Sequence, residues 1–165
     1  MKLLETQHVD ADVDFYGLSL QDADDGWLPA MFPEGFAQGQ FLSEQPGRID
    51  LTSAGHTQTV SFDAEIWSGP AQVPCGEWDE SATARIECRS GELRLWAVAG
   101  GPAPRSIVLP HPSATWNVRV RCRGRAAAAR ACRVVSLMGR SSAWPSSGLG
   151  DSGVAADCGP YPRPW

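Results

Sequence analysis

The sequence predicts an all-β protein, an antiparallel β-sandwich of about seven strands. Apolar and polar residues alternate with period two in short runs, which is typical of strands with one buried and one wet face. Gly, Pro, Ser and Asp separate these runs, and helical periodicity is scarce before Gly124. The chain has 165 residues, which is enough for one domain with its own core.

The first predicted strand spans residues 8–20, where Val9, Ala11 and Val13 alternate with aspartates. One face of this strand is therefore apolar and the other acidic. The following stretch, residues 21–35, holds two Pro and three Asp, which predicts a long loop.

Six further strands are predicted, and a tight hairpin is predicted to join the fourth strand to the fifth. Ser90 and Gly91 fit a two-residue turn, which would place Glu87 opposite Arg94 and turn Ile86 toward the core. The six strands cover residues 49–53, 57–67, 82–89, 92–99, 105–109 and 115–123.

Two ladders of like charge suggest that the first and last strands are neighbours. Pairing the strands would let each carboxylate meet a guanidinium and would neutralise both ladders. The acidic ladder is Asp10, Asp12 and Asp14, and the basic ladder is Arg119, Arg121 and Arg123.

The composition changes at Gly124, which divides the chain into a β-sandwich domain at 1–123 and a low-complexity tail at 124–165. In this tail 29 of 42 residues are Ala, Gly, Ser, Arg or Pro. Two interpretations are open. Residues 126–138 form a short helix and the rest is disordered, or the tail is the product of a shifted reading frame.

Charge and cysteine content limit the cellular locations that the sequence favours. Residues 1–80 carry fifteen Asp and Glu but only two cations, Lys2 and Arg48. Five cysteines without framework spacing predict reduced thiols and a cytoplasmic location. No apolar run is long enough for membrane insertion.

No motif for catalysis, metal or cofactor stands out. The run from Gln21 to Gly26 resembles the opening of a calcium loop, but Gly26 and Pro33 occupy positions where acids are needed. His8, His56 and His111 lie outside any recognisable triad context. We therefore expect no enzyme, no metal site and no cofactor.

Several segments resemble the competence protein J family, small bacterial inhibitors of a DNA-entry nuclease. The resemblance covers about residues 9–123 and runs through segments 14–20, 60–67, 106–110 and 116–120. It implies a non-enzymatic β-sandwich that binds a nuclease or a similar basic protein.

These observations predict an acidic interaction protein that binds a basic protein partner, with no direct nucleic-acid binding. The alternative is a small-molecule or carbohydrate binder that uses loop tryptophans in a cleft between the sheets. The predicted contact residues lie in two acidic, tryptophan-containing segments, which are Asp22, Asp24, Asp25 and Trp27, and Glu77, Trp78, Asp79 and Glu80.

Overall fold

A computed structural model describes residues 2–71, 76–125 and 135–138, and it arranges them as a sandwich of two mainly antiparallel sheets. The strands are β1 Leu3–Val13, β2 Gly17–Asp22, β3 Leu42–Gln45, β4 Arg48–Thr52, β5 Gln58–Trp67, β6 Glu80–Cys88, β7 Glu92–Ala97, β8 Gly101–Val108, β9 Ala114–Cys122 and β10 Val135–Met138. One sheet has the order β1-β5-β10-β9-β6 and the other has the order β3-β4-β2-β7-β8. The predicted all-β sandwich is confirmed.

The core lies between the two sheets and is built from the apolar residues at alternate strand positions. Along β5, Val60, Phe62, Ala64 and Ile66 are buried while the residues between them face outward. Trp116 of β9 contributes the largest fully buried side chain. Burying each large apolar side chain contributes about 1.5 to 3 kcal/mol, so this alternation is the main source of stability.

The predicted strand 8–20 is wrong as a single element, because residues 14–17 form a tight turn that carries the chain from one sheet to the other. Phe15 and Tyr16 adopt φ of 50° and 62°, and the Gly17 amide donates to the Asp14 carbonyl over 2.9 Å. A Cβ on Gly17 would lie 2.7 Å from Val98, so glycine is required here. The buried apolar positions change from odd numbers in β1 to even numbers in β2, where Leu18 and Leu20 follow Val13, and the predicted single strand overlooked this change of phase.

The predicted hairpin at Ser90 and Gly91 is also wrong. β6 pairs with β9 in one sheet, β7 pairs with β2 and β8 in the other, and residues 89–91 cross between the sheets. The inner face was correctly identified, since Ile86, Cys88 and Leu93 are buried. Alternation determines which face of a strand is buried, but it does not specify the neighbouring strand.

The two charge ladders do not pair. β1 lies beside β5, where Asp10 is opposite Ser61 and Asp12 is opposite Thr59. β9 lies between β6 and β10, so β5 and β10 separate its arginines from the aspartates of β1. Hydroxyl groups on β5 satisfy the carboxylates of β1, and no guanidinium is needed opposite them.

Two strands were missed in the sequence, β3 and β10. β3 is four residues long and carries Glu44 and Gln45, which gives it no apolar alternation. β10 pairs parallel to β5 and antiparallel to β9, so Val135–Met138 is strand where the sequence predicted the end of a helix. The rest of the predicted tail after Arg125 lies outside the described residues.

The described cysteines differ in state. Cys88 is a buried free thiol, whereas Cys122 is disulfide-bonded, so the prediction of reduced thiols is wrong for Cys122. In the described part of the chain no helix is long and apolar enough to cross a membrane.

Side chains join the sheets along both open sides of the sandwich. At one side the Gln7 amide donates to the Val108 carbonyl over 2.7 Å and accepts from the Val108 N–H over 2.9 Å. At the other side the Glu44 carboxylate accepts from the Arg85 N–H over 2.8 Å. These contacts satisfy backbone groups of edge strands β8 and β6 that would otherwise be open to other chains.

The long segment between β2 and β3 is fastened to the outer face of its sheet by a buried ion pair. Arg48 and Asp50 on β4 form two parallel hydrogen bonds of 2.8 Å, and both side chains are 1% exposed. The Arg48 guanidinium also donates to the carbonyls of Ala30 and Glu34 over 2.8 and 2.7 Å. One cation therefore holds a buried carboxylate and two turns of the loop together.

Replacing Arg48 with Met is expected to destabilise the fold by about 3 to 5 kcal/mol, because it leaves the Asp50 carboxylate buried without a partner. Urea denaturation measures this loss. The control is Arg85→Met, which removes an exposed arginine 4.0 Å from Glu44 and should cost less than about 1 kcal/mol. Equal losses in the two variants would contradict the role given to Arg48.

Candidate interaction surface

Asp22, predicted as a partner contact, is instead buried, and its carboxylate joins the end of β2 to the following loop and to the corner after β6. It ends β2, and its carboxylate accepts from the Trp27 indole N–H over 2.8 Å and the Arg89 N–H over 2.6 Å. It also accepts from the Asp24 N–H over 3.1 Å and from the Ser90 hydroxyl. With the side chain fully buried, these internal donors leave no oxygen for a partner.

The pKa of Asp22 reflects this environment. Burial raises the pKa of its carboxyl, but hydrogen bonds from Ser90, Arg89, Trp27 and Asp24 outweigh burial and leave the pKa below its ordinary value. Nearby, burial and then the Asp22 charge raise the pKa of the Cys88 thiol to about 11. The corner between β6 and β7 thus contains an ionised carboxylate and a protonated thiol.

The rest of the first contact segment lies at the surface. A single turn of 3₁₀ helix spans Asp25–Trp27, and the Asp24 carboxylate caps it by accepting from the Gly26 N–H over 3.3 Å. Asp24 is exposed and Asp25 is half-buried. The Arg89 guanidinium lies 4.0 Å from the centre of the Trp27 ring, so the protein's own cation covers this indole.

The second segment is tied to the end of β9. The guanidinium carbons of Arg121 and Arg123 lie 4.7 and 3.9 Å from the centre of the Trp78 ring. The Asp79 carboxylate accepts from the Arg125 N–H over 2.7 Å. Two exposed carboxylates remain for a partner, Glu77 and Glu80.

The structure does not bring the two predicted segments together. Trp78 precedes the first residue of β6, and Arg89, which covers Trp27, follows its last. A strand of nine residues spans about 30 Å. The segments therefore form two separate surface regions at opposite ends of β6.

A third acidic region, which we call the acidic face, lies on the outer side of β1 and β5. Neither strand contains Lys or Arg, and each carboxylate is opposite a neutral residue or a histidine. No two carboxylates are directly opposite each other, which reduces their repulsion. The four carboxylates are Asp10, Asp12, Asp63 and Glu65.

Hydrogen bonds order this acidic face. Ser61 donates to Asp10 over 2.9 Å and Thr59 donates to Asp12 over 2.8 Å. Glu65 lies on the side toward β9, where its charge acts on Arg121. The sequence analysis identified the carboxylates of β1 but not those of β5. Asp63 and Glu65 are two residues apart, as Asp10 and Asp12 are, so the same alternation could have identified them.

His8 sits within the acidic face. Its Nδ1 lies 2.6 Å from Asp63, and its Nε2 lies 3.3 Å from Asp10 and 3.4 Å from Ser61. The hydrogen bond with Asp63 is the largest cause of a raised His8 pKa, opposed by partial desolvation. The group lies on the outer surface of the sheet, with the His8 side chain 53% exposed.

The small-molecule alternative places a cleft between the sheets. A cavity of about 20 Å³ there is lined by Val13, Leu18, Phe41 and Phe62 among others. This volume suits a water molecule, whereas ligand pockets measure about 300 to 1,000 Å³. Trp27 and Trp78 lie outside this cavity.

Comparison with known proteins gives a match in fold. No family model and no curated protein sequence matches the chain. The structure is similar to that of ComJ, the inhibitor of the DNA degrading activity of NucA from Bacillus subtilis, with a TM-score of 0.55 and 9% identity over 82% of this chain and 96% of that one. It is also similar to the product of crocagin biosynthetic gene J, with a TM-score of 0.52 and 12% identity over 87% of this chain and 100% of that one. The resemblance to the competence protein J family is confirmed as a weak one, at the level of fold.

Asp22→Asn should lower the free energy of unfolding by about 1 to 3 kcal/mol, because a buried acceptor of several N–H and O–H groups loses its charge. It should also speed alkylation of the Cys88 thiol by opening the adjacent corner.

The pKa of Asp22 is lowered on folding, so the stabilisation that Asp22 contributes is present above its unfolded pKa and is lost as the pH falls through the folded value. The unaltered protein should therefore lose more stability in acid than the variant. The control is Asp24→Asn, which alters an exposed neighbouring residue. Unchanged alkylation of Cys88 in Asp22→Asn would contradict the role given to the Asp22 carboxylate in closing this corner.

His8 should titrate above 6.5, and Asp63→Asn should bring its pKa down. Since folding raises this pKa, the stabilisation from His8 is present below the unfolded value and is lost as the pH rises through the folded one. NMR titration of the His8 ring measures the midpoint. Asp12→Asn is the matched control, because Asp12 bonds to Thr59 instead of His8. A midpoint that does not respond to Asp63→Asn would refute the assignment.

Proposed function

We propose that the protein is a non-enzymatic inhibitor that binds a basic protein partner, and that the partner is a nuclease. The observation that carries this proposal is the acidic face, where two neighbouring strands display four carboxylates and contain no Lys or Arg. A nuclease must present cations to phosphates. A fixed array of carboxylates can occupy that cationic surface in place of DNA.

The rigidity of the acidic face supports this role. β1 and β5 are paired from Glu5 to Val13, and hydroxyl groups of β5 hold the carboxylates of Asp10 and Asp12. Because the carboxylates are ordered before binding, little side-chain freedom is lost in a complex. The charges would also increase the rate of association with a basic partner at low salt.

Two further considerations favour a protein partner. The similar fold of ComJ, described as an inhibitor of NucA, fits an inhibitory protein-binding role. Asp24 and Glu77 are further exposed carboxylates, at opposite ends of β6. A partner of protein size can reach such separated regions, whereas a small ligand cannot. A cytoplasmic location stays a prediction from the sequence.

The test is inhibition of DNA degradation by purified NucA, together with the affinity measured at low and high salt. The unaltered protein should bind and inhibit, with weaker binding at high salt. Asp10→Asn/Asp12→Asn should weaken binding by roughly tenfold, mainly through slower association. A melting curve checks that the double variant stays folded.

Glu87→Gln is the matched control, because Glu87 is an exposed carboxylate of the same sheet that is already paired with Arg89 over 2.8 Å. It should leave the affinity within about twofold of the unaltered value. Absence of binding at low salt would refute a nuclease partner of this kind. Equal effects of the double variant and the control would refute the acidic face as the docking surface.

A further inference from the structure

The turn between β1 and β2, here called the aromatic turn, places two large side chains where the backbone disfavours them. Phe15 and Tyr16 occupy consecutive left-handed positions, with φ of 50° and 62°. Tight turns of this hand usually carry Asn and Gly there, because a side chain crowds its own backbone. Strained positions persist where surrounding contacts impose them, and they concentrate at functional sites.

Burial does not account for these two aromatic residues. Phe15 is 51% exposed and Tyr16 is 36% exposed. The His56 ring packs edge-on against both, with ring centres 5.1 and 5.0 Å apart. The result is a cluster of three rings that projects from the end of the sandwich, where a protein partner can reach it.

Hydrogen bonds from three other segments hold the aromatic turn in place. The Asp14 carboxylate accepts from the N–H groups of Ala99 and Gly100 over 2.9 and 3.0 Å. The Tyr16 N–H donates to the His56 carbonyl over 3.1 Å, and the Gln38 amide donates to the Phe15 carbonyl over 3.2 Å. The rings are thus displayed on a fixed backbone, which lowers the entropic cost of binding.

The aromatic turn continues directly from the acidic face. β1 ends at Val13, so Asp12 is three residues from Phe15 along the chain. The segments that contact the turn, Gln38 and residues 53–57 and 98–100, contain no Lys or Arg, and the Arg125 guanidinium donates to the Thr52 carbonyl over 2.8 Å just before the second of them. A partner that is drawn to the carboxylates of β1 therefore meets exposed aromatic rings beside them.

We propose that the aromatic turn is the anchor by which the acidic face binds a basic protein partner, with Phe15 and Tyr16 packing against Lys or Arg side chains of that partner. Aromatic rings bind the apolar stems of these residues and attract their charged heads. A few such residues carry most of the energy of an interface. This inference rests on the proposed function, and it specifies the contact that holds the complex together once charge has brought the proteins together.

The experiment compares the unaltered protein with Phe15→Asn/Tyr16→Gly, which supplies the residues that the turn geometry favours. The melting temperature should be unchanged or higher, because backbone strain is relieved. The affinity for NucA should fall by roughly 30-fold or more, mostly through faster dissociation. Met31→Ser is the control, since Met31 is a similarly exposed apolar residue at 39% and lies outside the turn; its affinity should stay within about twofold.

The possible outcomes separate the two proposals. If the unaltered protein inhibits NucA and the turn variant binds equally well, the anchor is wrong and the proposed function stands. If the unaltered protein does not bind, the proposed function is wrong and the anchor fails with it. A turn variant that melts well below the unaltered protein would show that the rings support the fold, and this would also overturn the anchor. Phe15→Asn alone repeats the comparison with a smaller change.

Discussion

The buried carboxylate of Asp22 is the interaction on which the arrangement of the two sheets depends. Asp22 ends β2 in one sheet and accepts from Arg89 and Ser90, where the chain arrives from β6 in the other sheet. It also fixes Trp27 in the following loop. Apolar burial holds the sheets face to face, and this hydrogen-bonded group specifies their relative position at the corner. Arg48 performs a similar function for the outer loop, and both residues lie at the end of a strand, Asp22 at the last position of β2 and Arg48 at the first position of β4.

The sequence predicts which residues face the core better than it predicts which strands are neighbours. Ile86, Cys88 and Leu93 were assigned correctly to the inner face, yet the hairpin that assigned them does not exist. Period-two alternation is a property of each strand alone, and it is the same for a hairpin and for a connection that crosses the sandwich. The turn at residues 14–17 was missed although the alternation changes phase there, from Val13 at an odd position to Leu18 at an even one. β3 was missed because a short polar edge strand carries no such pattern.

The acidic site could be predicted in part. Alternating aspartates indicated an acidic strand face, but the sequence suggested that arginines of β9 would neutralise it, whereas Ser61 and Thr59 provide the contacts. This difference matters for function, because hydroxyl donors stabilise a carboxylate without removing its charge. The loop residues show the opposite case. Asp22 appeared to be a surface charge, but a sequence does not reveal how many backbone N–H groups converge on one carboxylate.

Asp14 connects the charge of β1 to the strained turn that follows it. It continues the spacing of Asp10 and Asp12, but the turn redirects its carboxylate to the N–H groups of Ala99 and Gly100. The same alternation therefore produces surface charges along the strand and then a clamp at its end. Since the clamp is made of backbone donors, it holds Phe15 in place without adding a cation that would weaken the acidic field. Long-range attraction and short-range anchoring can then be supplied by one continuous stretch of chain, which is a reason for placing aromatic residues in a turn that disfavours them.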